Sequence, residues 1–256
     1  MSAIEKPEYS AFKMAGGSAQ KIHKGMTGEQ NPAGEKPLII NKMGLRAMAY
    51  AAGTGETNSA MGRIAAFPTA GGAGVVPGAL LSAAEEWDVE EEVLLRGLFT
   101  AAGIGIVIAE GATLSAAAGG CQAEVGAATA MAAAGVTEMR GGTPAQACNA
   151  SALALKNMLG LACDPLGGLV AVPCIKRNCL GTLHAYGSSD MSVMGIISFV
   201  PFDEVVEAMK NIAKLMSYQI RETALGGLAA TKTGLMIRKK LGINDKIKVA
   251  EVQPCS

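Results

Sequence analysis

The sequence has few charged and aromatic side chains and no excess charge of either sign. Charged residues make up 17% and aromatic residues 4% of its 256 residues, and 22 Lys and Arg balance 22 Asp and Glu. The absence of a basic excess argues against a protein that binds nucleic acid. Half of the residues are hydrophobic and 33 are glycine, so the chain can bury a large core of small side chains in which backbones approach closely.

Signals for secretion and for membrane insertion are also missing. The N-terminal residues are polar and lack the apolar segment of a signal peptide. The longest uncharged run, 64–84, contains two prolines and four glycines and is a poor membrane span. The segment 97–137 is mostly Ala and Gly and is interpreted as buried helices. We therefore expect a cytoplasmic protein without a membrane partner, whose cysteines are thiols or metal ligands and not disulfides.

The apolar spacing predicts an all-α fold, a single compact helical domain with Ala/Gly helix packing. A polar N-terminal arm, 1–36, precedes the helical domain, 37–245, and a short tail, 246–256, follows it. The arm is expected to form a loop or a segment that packs on something else. Within the tail, 247–252 alternates like a short strand.

Four helix starts can be read from local signals. One helix is predicted over 37–52 with proline at its first position, and acidic residues at 88–92 favour a first turn. Thr143, Pro144 and Gln146 have the pattern of a capping box. The helix that they open is predicted to run to about Leu159. Another helix is predicted to begin near Phe202.

The six cysteines show no C-x-x-C pair, so their spacing indicates neither a zinc knuckle nor a ferredoxin site. Cys121, Cys163 and Cys174 each lie near Gly or Pro at a predicted break between elements, where a thiolate can turn toward a shared point. Lys176 and Arg177 are expected to lower the pKa of Cys174. This residue pattern is compatible with a metal site and also with buried inert thiols. The remaining cysteines include Cys148 and Cys179, interpreted as buried structural residues, and Cys255 near the C-terminus.

A glycine-rich segment at 68–78 is a second candidate site. Its backbone N–H groups can bind a substrate carboxylate, or its glycines can serve close helix packing. It is not a phosphate P-loop, because no Gly-Lys-Ser/Thr follows. Arg177 suits a bidentate contact with a carboxylate, although a solvated arginine fits as well. The candidate substrate-binding residues are Asn58, Thr69, Gly71, Gly72, Lys176 and Arg177.

Five uninterrupted blocks resemble the α chain of iron–sulfur-dependent L-serine dehydratase over about 38–235. They read PTAGGAGVVPG, GGCQAEVG, LKNMLGLACDP, VPCIKRN and PFDEVVEAM. The resemblance implies that Cys121, Cys163 and Cys174 hold a [4Fe–4S] cluster whose fourth iron binds the substrate. It implies dehydration of L-serine to pyruvate and ammonia without pyridoxal phosphate, as part of amino-acid degradation and gluconeogenesis.

The resemblance also implies a partner. In this family a second domain or separate β chain carries a Ser-Ser-His-Thr segment that helps complete the site, and the 256 residues lack that segment. The general base is therefore not identified, since His23 and His184 are more typical of structural histidines. We expect an oligomer containing a β chain. Cys255 is a possible fourth iron ligand, on a tail that can reach back to the cluster.

Three alternatives are kept. A related cysteine desulfidase would use the same cluster and release sulfide from L-cysteine. A cluster-binding subunit without catalytic power would leave the reaction to its partner. A zinc-stabilised helical domain would use the same thiols for a structural metal.

Overall fold

The computed structural model describes residues 2–10, 13–29 and 36–243, and these residues form an all-helical domain without a strand. The all-α prediction is confirmed. The helices are α1 (Ser2–Glu5), α2 (Ser18–Thr27), α3 (Lys42–Ser59), α4 (Val75–Trp87), α5 (Glu91–Gly111), α6 (Ala116–Gly119), α7 (Ala127–Met139), α8 (Pro144–Lys156), α9 (Cys174–Val193), α10 (Phe202–Leu215) and α11 (Lys232–Lys240). The tail with its predicted strand and Cys255 lies outside the described residues.

Helix α7 forms the centre of the core. Every residue of α7 except Glu138 is buried, and α4, α5, α8 and α9 pack around it. Alanine or glycine occupies seven of its 13 positions, so the neighbouring backbones come close, as the composition predicts. The backbones of α7 and α5 approach closely at Gly135, where an added Cβ would lie 2.7 Å from the carbonyl oxygen of Gly97.

This close approach predicts a large difference between two glycine substitutions. Gly135→Ala should lower the free energy of unfolding by about 1–3 kcal/mol, because the methyl group meets backbone that cannot move aside. The control is Gly103→Ala in α5, where an added Cβ meets no atom within 4 Å. That change should raise the free energy of unfolding by about 0.5–1 kcal/mol. Urea unfolding of both variants measures the difference, and equal effects would contradict the packing.

The structure confirms two helix starts. Thr143 Oγ1 accepts a hydrogen bond from the N–H of Gln146 at 3.2 Å, and the Gln146 side chain accepts one from the N–H of Thr143 at 2.9 Å. Helix α8 ends at Lys156, slightly before the predicted Leu159. Helix α10 begins at Phe202 as predicted.

Two other starts lie later than predicted. Helix α3 begins at Lys42 and not near residue 37, because the side chain of Asn41 caps it by accepting a hydrogen bond from the N–H of Gly44 at 2.9 Å. Of the acidic residues at 88–92, Glu91 and Glu92 lie in the first turn of α5, as predicted. Asp88 does not, because it has a left-handed backbone, with φ 49°, and ends α4.

The N-terminal arm contains two helices that pack on α3. Glu56, which is fully buried in α3, accepts hydrogen bonds from the backbone N–H of Ser18 at 2.6 Å and of Ala19 at 3.3 Å. These N–H groups begin α2, so the carboxylate lies at the end of the helix where the dipole favours negative charge. The arm therefore packs on the helical domain, and its boundary at residue 36 stays a prediction.

Helix α5 does not match the expectation that 97–137 is buried throughout. Among the described residues it alone is long and apolar enough to cross a membrane by length and composition, and 28% of its apolar window is buried. Phe99, Ile106 and Val107 are exposed at 76%, 58% and 39%. The interpretation as buried helix holds for α7 and is wrong for much of α5.

Candidate metal centre

Three cysteines from three separate segments meet at one end of α7. Cys121 stands directly before a π-helical turn, Gln122–Gly126, that continues into α7. Cys163 lies in the loop after α8, and Cys174 is the first residue of α9. Their exposed fractions are 1%, 2% and 4%, so all three thiols are shielded from bulk water. Local π-helical turns are frequent at functional sites.

The segment of Cys121 is tied to the segment of Cys163 by backbone and side-chain hydrogen bonds. The N–H of Gln122 donates to Leu161 O at 3.1 Å, and the Gln122 side chain accepts from the N–H of Gly160 at 2.9 Å. Gly120 has φ 72°, and an added Cβ there would lie 2.9 Å from Leu161 O. Glycine therefore allows the turn that brings Cys121 against the Cys163 loop.

A second segment holds Cys163 from the other side. The N–H of Cys163 donates to Ile220 O at 2.8 Å, and Cys163 O accepts from the N–H of Glu222 at 2.8 Å. These two bonds form a short parallel bridge between the loop and the chain after α10. Glu222 has φ 66°, a conformation that is costly for a residue with a side chain and is found at constrained sites.

The three thiols interact directly. Hydrogen bonds from Cys163 and Cys174 lower the pKa of Cys121 to about 3, and Arg177 acts in the same direction. The same hydrogen bonds to Cys121, together with burial, raise the pKa of Cys163 and of Cys174. The prediction of a lowered pKa at Cys174 is therefore wrong, because these effects outweigh the contribution of Arg177. The group behaves as one thiolate held by two thiols.

Arg177 links the segments around the thiols. Its Nη1 donates to Cys121 Sγ at 3.4 Å and to Ala162 O at 2.7 Å. Its Nη2 donates to Asp164 Oδ1 at 3.0 Å, and Asp164 Oδ2 accepts from the N–H of Leu228 at 2.8 Å. Burial disfavours the charged guanidinium, but Cys121 and Asp164 raise the pKa of Arg177 overall. Its positive charge offsets negative charge at Cys121.

Two carboxylates that were not predicted from the sequence as site residues lie near the thiols. A carboxylate oxygen of Glu124 and the Sγ atoms of Cys121 and Cys163 all lie within 4.8 Å of one another. Burial raises the pKa of Glu124 to about 7, against a lowering by the hydrogen bond from Thr69. Burial and the charge of Cys121 also raise the pKa of the more exposed Glu222. A signal for Glu124 was present, since it follows Cys121 by about one helical turn.

The glycine-rich segment packs against the Glu124 turn and α9. Thr69 Oγ1 donates to Glu124 Oε1 at 2.8 Å, and a Cβ on Gly72 would lie 2.7 Å from Glu124 O. Asn178 Nδ2 donates to Gly71 O at 2.7 Å, and Asn178 Oδ1 accepts from the N–H of Gly74 at 3.0 Å. These contacts are close packing, and substrate binding by Thr69, Gly71 and Gly72 stays a prediction.

Several predicted residues lie elsewhere. Lys176 is exposed and its Nζ donates to Ser18 Oγ at 3.1 Å. Asn58 lies in the last turns of α3. Cys179 is buried as predicted, but Cys148 is exposed on α8, so the interpretation of Cys148 as buried is wrong. His184 lies away from the thiols, with Nε2 3.1 Å from Ala154 O.

The donor set fits an iron–sulfur cluster or a zinc ion. Thiolates are the usual protein ligands of both, and the three thiols are buried and free of disulfides. The described residues therefore fit a metal group that is bound by thiolates.

Comparison with known proteins gives consistent matches over most of the chain. Residues 2–229 match a family model described as serine dehydratase alpha chain. The probable L-serine dehydratase, alpha chain, of Bacillus subtilis is 49% identical over 228 residues, which cover 89% of this chain and 74% of that protein. The L-serine dehydratase, alpha chain, of Peptoniphilus asaccharolyticus is 43% identical over 92% of this chain and 78% of its own length.

Longer relatives match over a smaller part of their length. The L-serine dehydratase TdcG of Escherichia coli is 40% identical over 183 residues, which cover 70% of this chain and 40% of that protein. More than half of the Escherichia coli protein therefore lies outside the match.

Proposed function

The chain belongs to the serine dehydratase alpha chain family, and from this premise we propose that it is the α chain of an L-serine dehydratase. Such an enzyme eliminates water from L-serine and yields pyruvate and ammonia. The names of the relatives support this reaction. The observation that carries the site is the convergence of three buried cysteines beside Arg177.

We propose that Cys121, Cys163 and Cys174 hold a [4Fe–4S] cluster. The three buried thiols and the adjacent guanidinium of Arg177 fit a group that carries negative charge and is bound by thiolates. When bound, such a cluster supplies an open iron position that acts as a Lewis acid toward the leaving hydroxyl group. Arg177 and Asp164 keep the Cys121 and Cys163 segments in register by their shared hydrogen bonds. Such outer partners orient ligands and tune the site.

The residues beside the thiols orient the substrate in this proposal. Thr69, Gly71 and Gly72 adjoin the Glu124 turn, so they are placed to position an amino acid next to the cysteines. Burial of the three thiols excludes bulk water, which strengthens electrostatic interactions with a bound substrate. For Asn58 and Lys176 the proposed contact with substrate rests on the sequence pattern alone.

We further propose that a β chain completes the active site in a cytoplasmic oligomer. The additional sequence of the longer Escherichia coli relative supports this, because the matched part covers only 40% of that protein. Neither histidine of the α chain is offered as the base: His184 Nε2 lies against a backbone carbonyl of α8. The β chain is expected to supply the missing proton-transfer group, and the α chain the helical cluster-binding domain at 37–245.

Activity measurements on the reconstituted protein test this function. The α chain, purified without oxygen and combined with its β chain, should form pyruvate and ammonia from L-serine. Each chain alone should be at least about 100-fold slower, since positioned acid–base groups contribute about 10²–10⁴-fold. L-cysteine serves as the comparison substrate. Sulfide release from L-cysteine with no pyruvate from L-serine would contradict the proposal and indicate a desulfidase.

A further inference from the structure

The carboxylate of Glu124 occupies a specific position beside the cysteines. It extends from the π-helical turn that follows Cys121, and one of its oxygens is within 4.8 Å of the Sγ atoms of Cys121 and Cys163. Thr69 Oγ1 holds Oε1 by a hydrogen bond of 2.8 Å. The other oxygen, Oε2, lies against Gly71, where a Cβ would overlap it. Glycine at this position therefore makes room for the carboxylate. The glycine-rich segment thus positions the carboxylate beside the thiols.

No cation of the described residues pairs with this carboxylate. The ion pairs of that part of the chain involve other acids. Arg177, the nearest guanidinium to the thiols, is already bonded to Asp164, Cys121 and Ala162 O. The only hydrogen bond that Glu124 accepts from the described side chains comes from Thr69. A half-buried carboxylate in this position is costly without a positive partner.

A bound cation beside Glu124 would favour the charged carboxylate. An α-amino acid brings such a cation, because its ammonium group is charged at neutral pH and has three N–H donors.

Resting on the proposed function, we infer that Glu124 binds the α-ammonium group of the amino acid substrate, with Thr69 as a positioning residue for the carboxylate. The contact makes the site specific for amino acids over the corresponding hydroxy acids. It also places the α-carbon of the substrate within reach of the cysteines, because Glu124 and the thiols lie side by side. Glu222 does not share this role, since its side chain is exposed and receives no hydrogen bond from Thr69.

Two unreactive ligands isolate the ammonium contact. L-alanine and L-lactate differ only in having an ammonium or a hydroxyl group at the α-carbon, and neither carries the hydroxyl that leaves in the reaction. Calorimetric titration of the assembled enzyme with each ligand gives two dissociation constants without relying on turnover. In Glu124→Gln, the affinity for L-alanine should fall about 10- to 100-fold, the range of a hydrogen bond to a charged group. The affinity for L-lactate should change less than about threefold, so the ratio of the two constants reports the contact.

One further measurement and one control variant accompany the titration. Iron per chain in Glu124→Gln should equal that of the unchanged enzyme, and loss of iron would overturn the inference by making Glu124 a metal ligand. The matched control is Glu222→Gln, which removes a neighbouring carboxylate. If Glu222→Gln lowers the affinity for L-alanine relative to L-lactate as much as Glu124→Gln does, the inference is overturned. A diffuse negative potential, and not a contact with Glu124, would then explain the preference for the ammonium group. If Glu124→Gln keeps its full iron content and the ratio of its L-alanine and L-lactate dissociation constants is unchanged, the inference is also overturned.

A second variant applies where Glu124→Gln does not fold. Thr69→Val keeps the shape of the side chain and removes the hydroxyl that holds Glu124. This variant should lower the affinity for L-alanine about three- to tenfold and leave the affinity for L-lactate unchanged, as expected for one lost hydrogen bond. Equal effects on both ligands would overturn the inference. Failure of the proposed function would be seen separately, as absence of pyruvate formation by the unchanged enzyme.

Discussion

Replacing Cys121, Cys163 or Cys174 by serine should abolish L-serine dehydration and remove iron from the chain. A serine hydroxyl is a poor substitute for a thiolate ligand, and each of these cysteines comes from a different segment, so the neighbouring cysteines cannot replace it. Changes in outer-shell residues already cost about 10- to 100-fold in metal affinity or activity, so loss of a ligand should cost more than about 100-fold. Iron content and pyruvate formation are measured on the same preparation.

Cys179→Ser and Cys148→Ser are the matched controls. Cys179 is buried on the same helix as Cys174, and its Sγ contacts Met48 O at 3.4 Å, whereas Cys148 is exposed on α8. Both variants should retain iron and activity within about twofold, since neither thiol adjoins the other three. A Cys163→Ser protein that keeps its β chain, its iron and its activity would contradict the catalytic assignment of this chain.

Asp164→Ala should destabilise the chain by about 3–5 kcal/mol, the usual cost of breaking a buried ion pair from one side. Asp164 is 5% exposed, and its two oxygens hold Arg177 and the N–H of Leu228. Its removal leaves a half-buried guanidinium and a backbone donor without this partner. The substitution also releases Arg177 from the position in which it donates to Cys121, so iron retention should fall as well.

Asp190→Ala is the control for the loss of an ion pair. Asp190 pairs with Arg140, and its side chain is 58% exposed, so solvent screens the interaction. Its removal should change the free energy of unfolding by less than about 1 kcal/mol. Urea unfolding compares the two variants. A similar small effect for Asp164→Ala would mean that the link between the Cys163 loop, Arg177 and Leu228 contributes little.

Local sequence signals predicted those elements whose ends depend on a few adjacent residues. The capping box at Thr143 and the start of α10 at Phe202 are confirmed, because capping depends on hydrogen bonds within one turn. Proline at position 37 was an incorrect signal, since the side chain of Asn41 supplies the cap of α3. Small-residue packing was also foreseen, as the contact of Gly97 with Gly135 shows.

The sequence predicted the parts of the site that depend on the type of a residue and its immediate neighbours. Cysteines beside glycine or proline pointed to Cys121, Cys163 and Cys174, and these thiols do converge. The sequence did not reveal that Arg177 donates a hydrogen bond to Cys121, because that contact depends on how α9 is oriented against the π-helical turn. The position of Glu124 against Thr69 spans 55 residues and likewise results from tertiary packing. Long-range partners of this kind carry no local signal.

The most direct test of the account is the iron and sulfide content of the chain purified without oxygen, together with its visible absorption before and after L-serine is added. The account predicts a brown protein with about four irons and four sulfides per chain, as for a [4Fe–4S] cluster, and a spectrum that shifts when serine binds in the assembled enzyme. A colourless chain that takes up no iron and sulfide on reconstitution would contradict it. Cys121, Cys163 and Cys174 would then be zinc ligands or buried thiols.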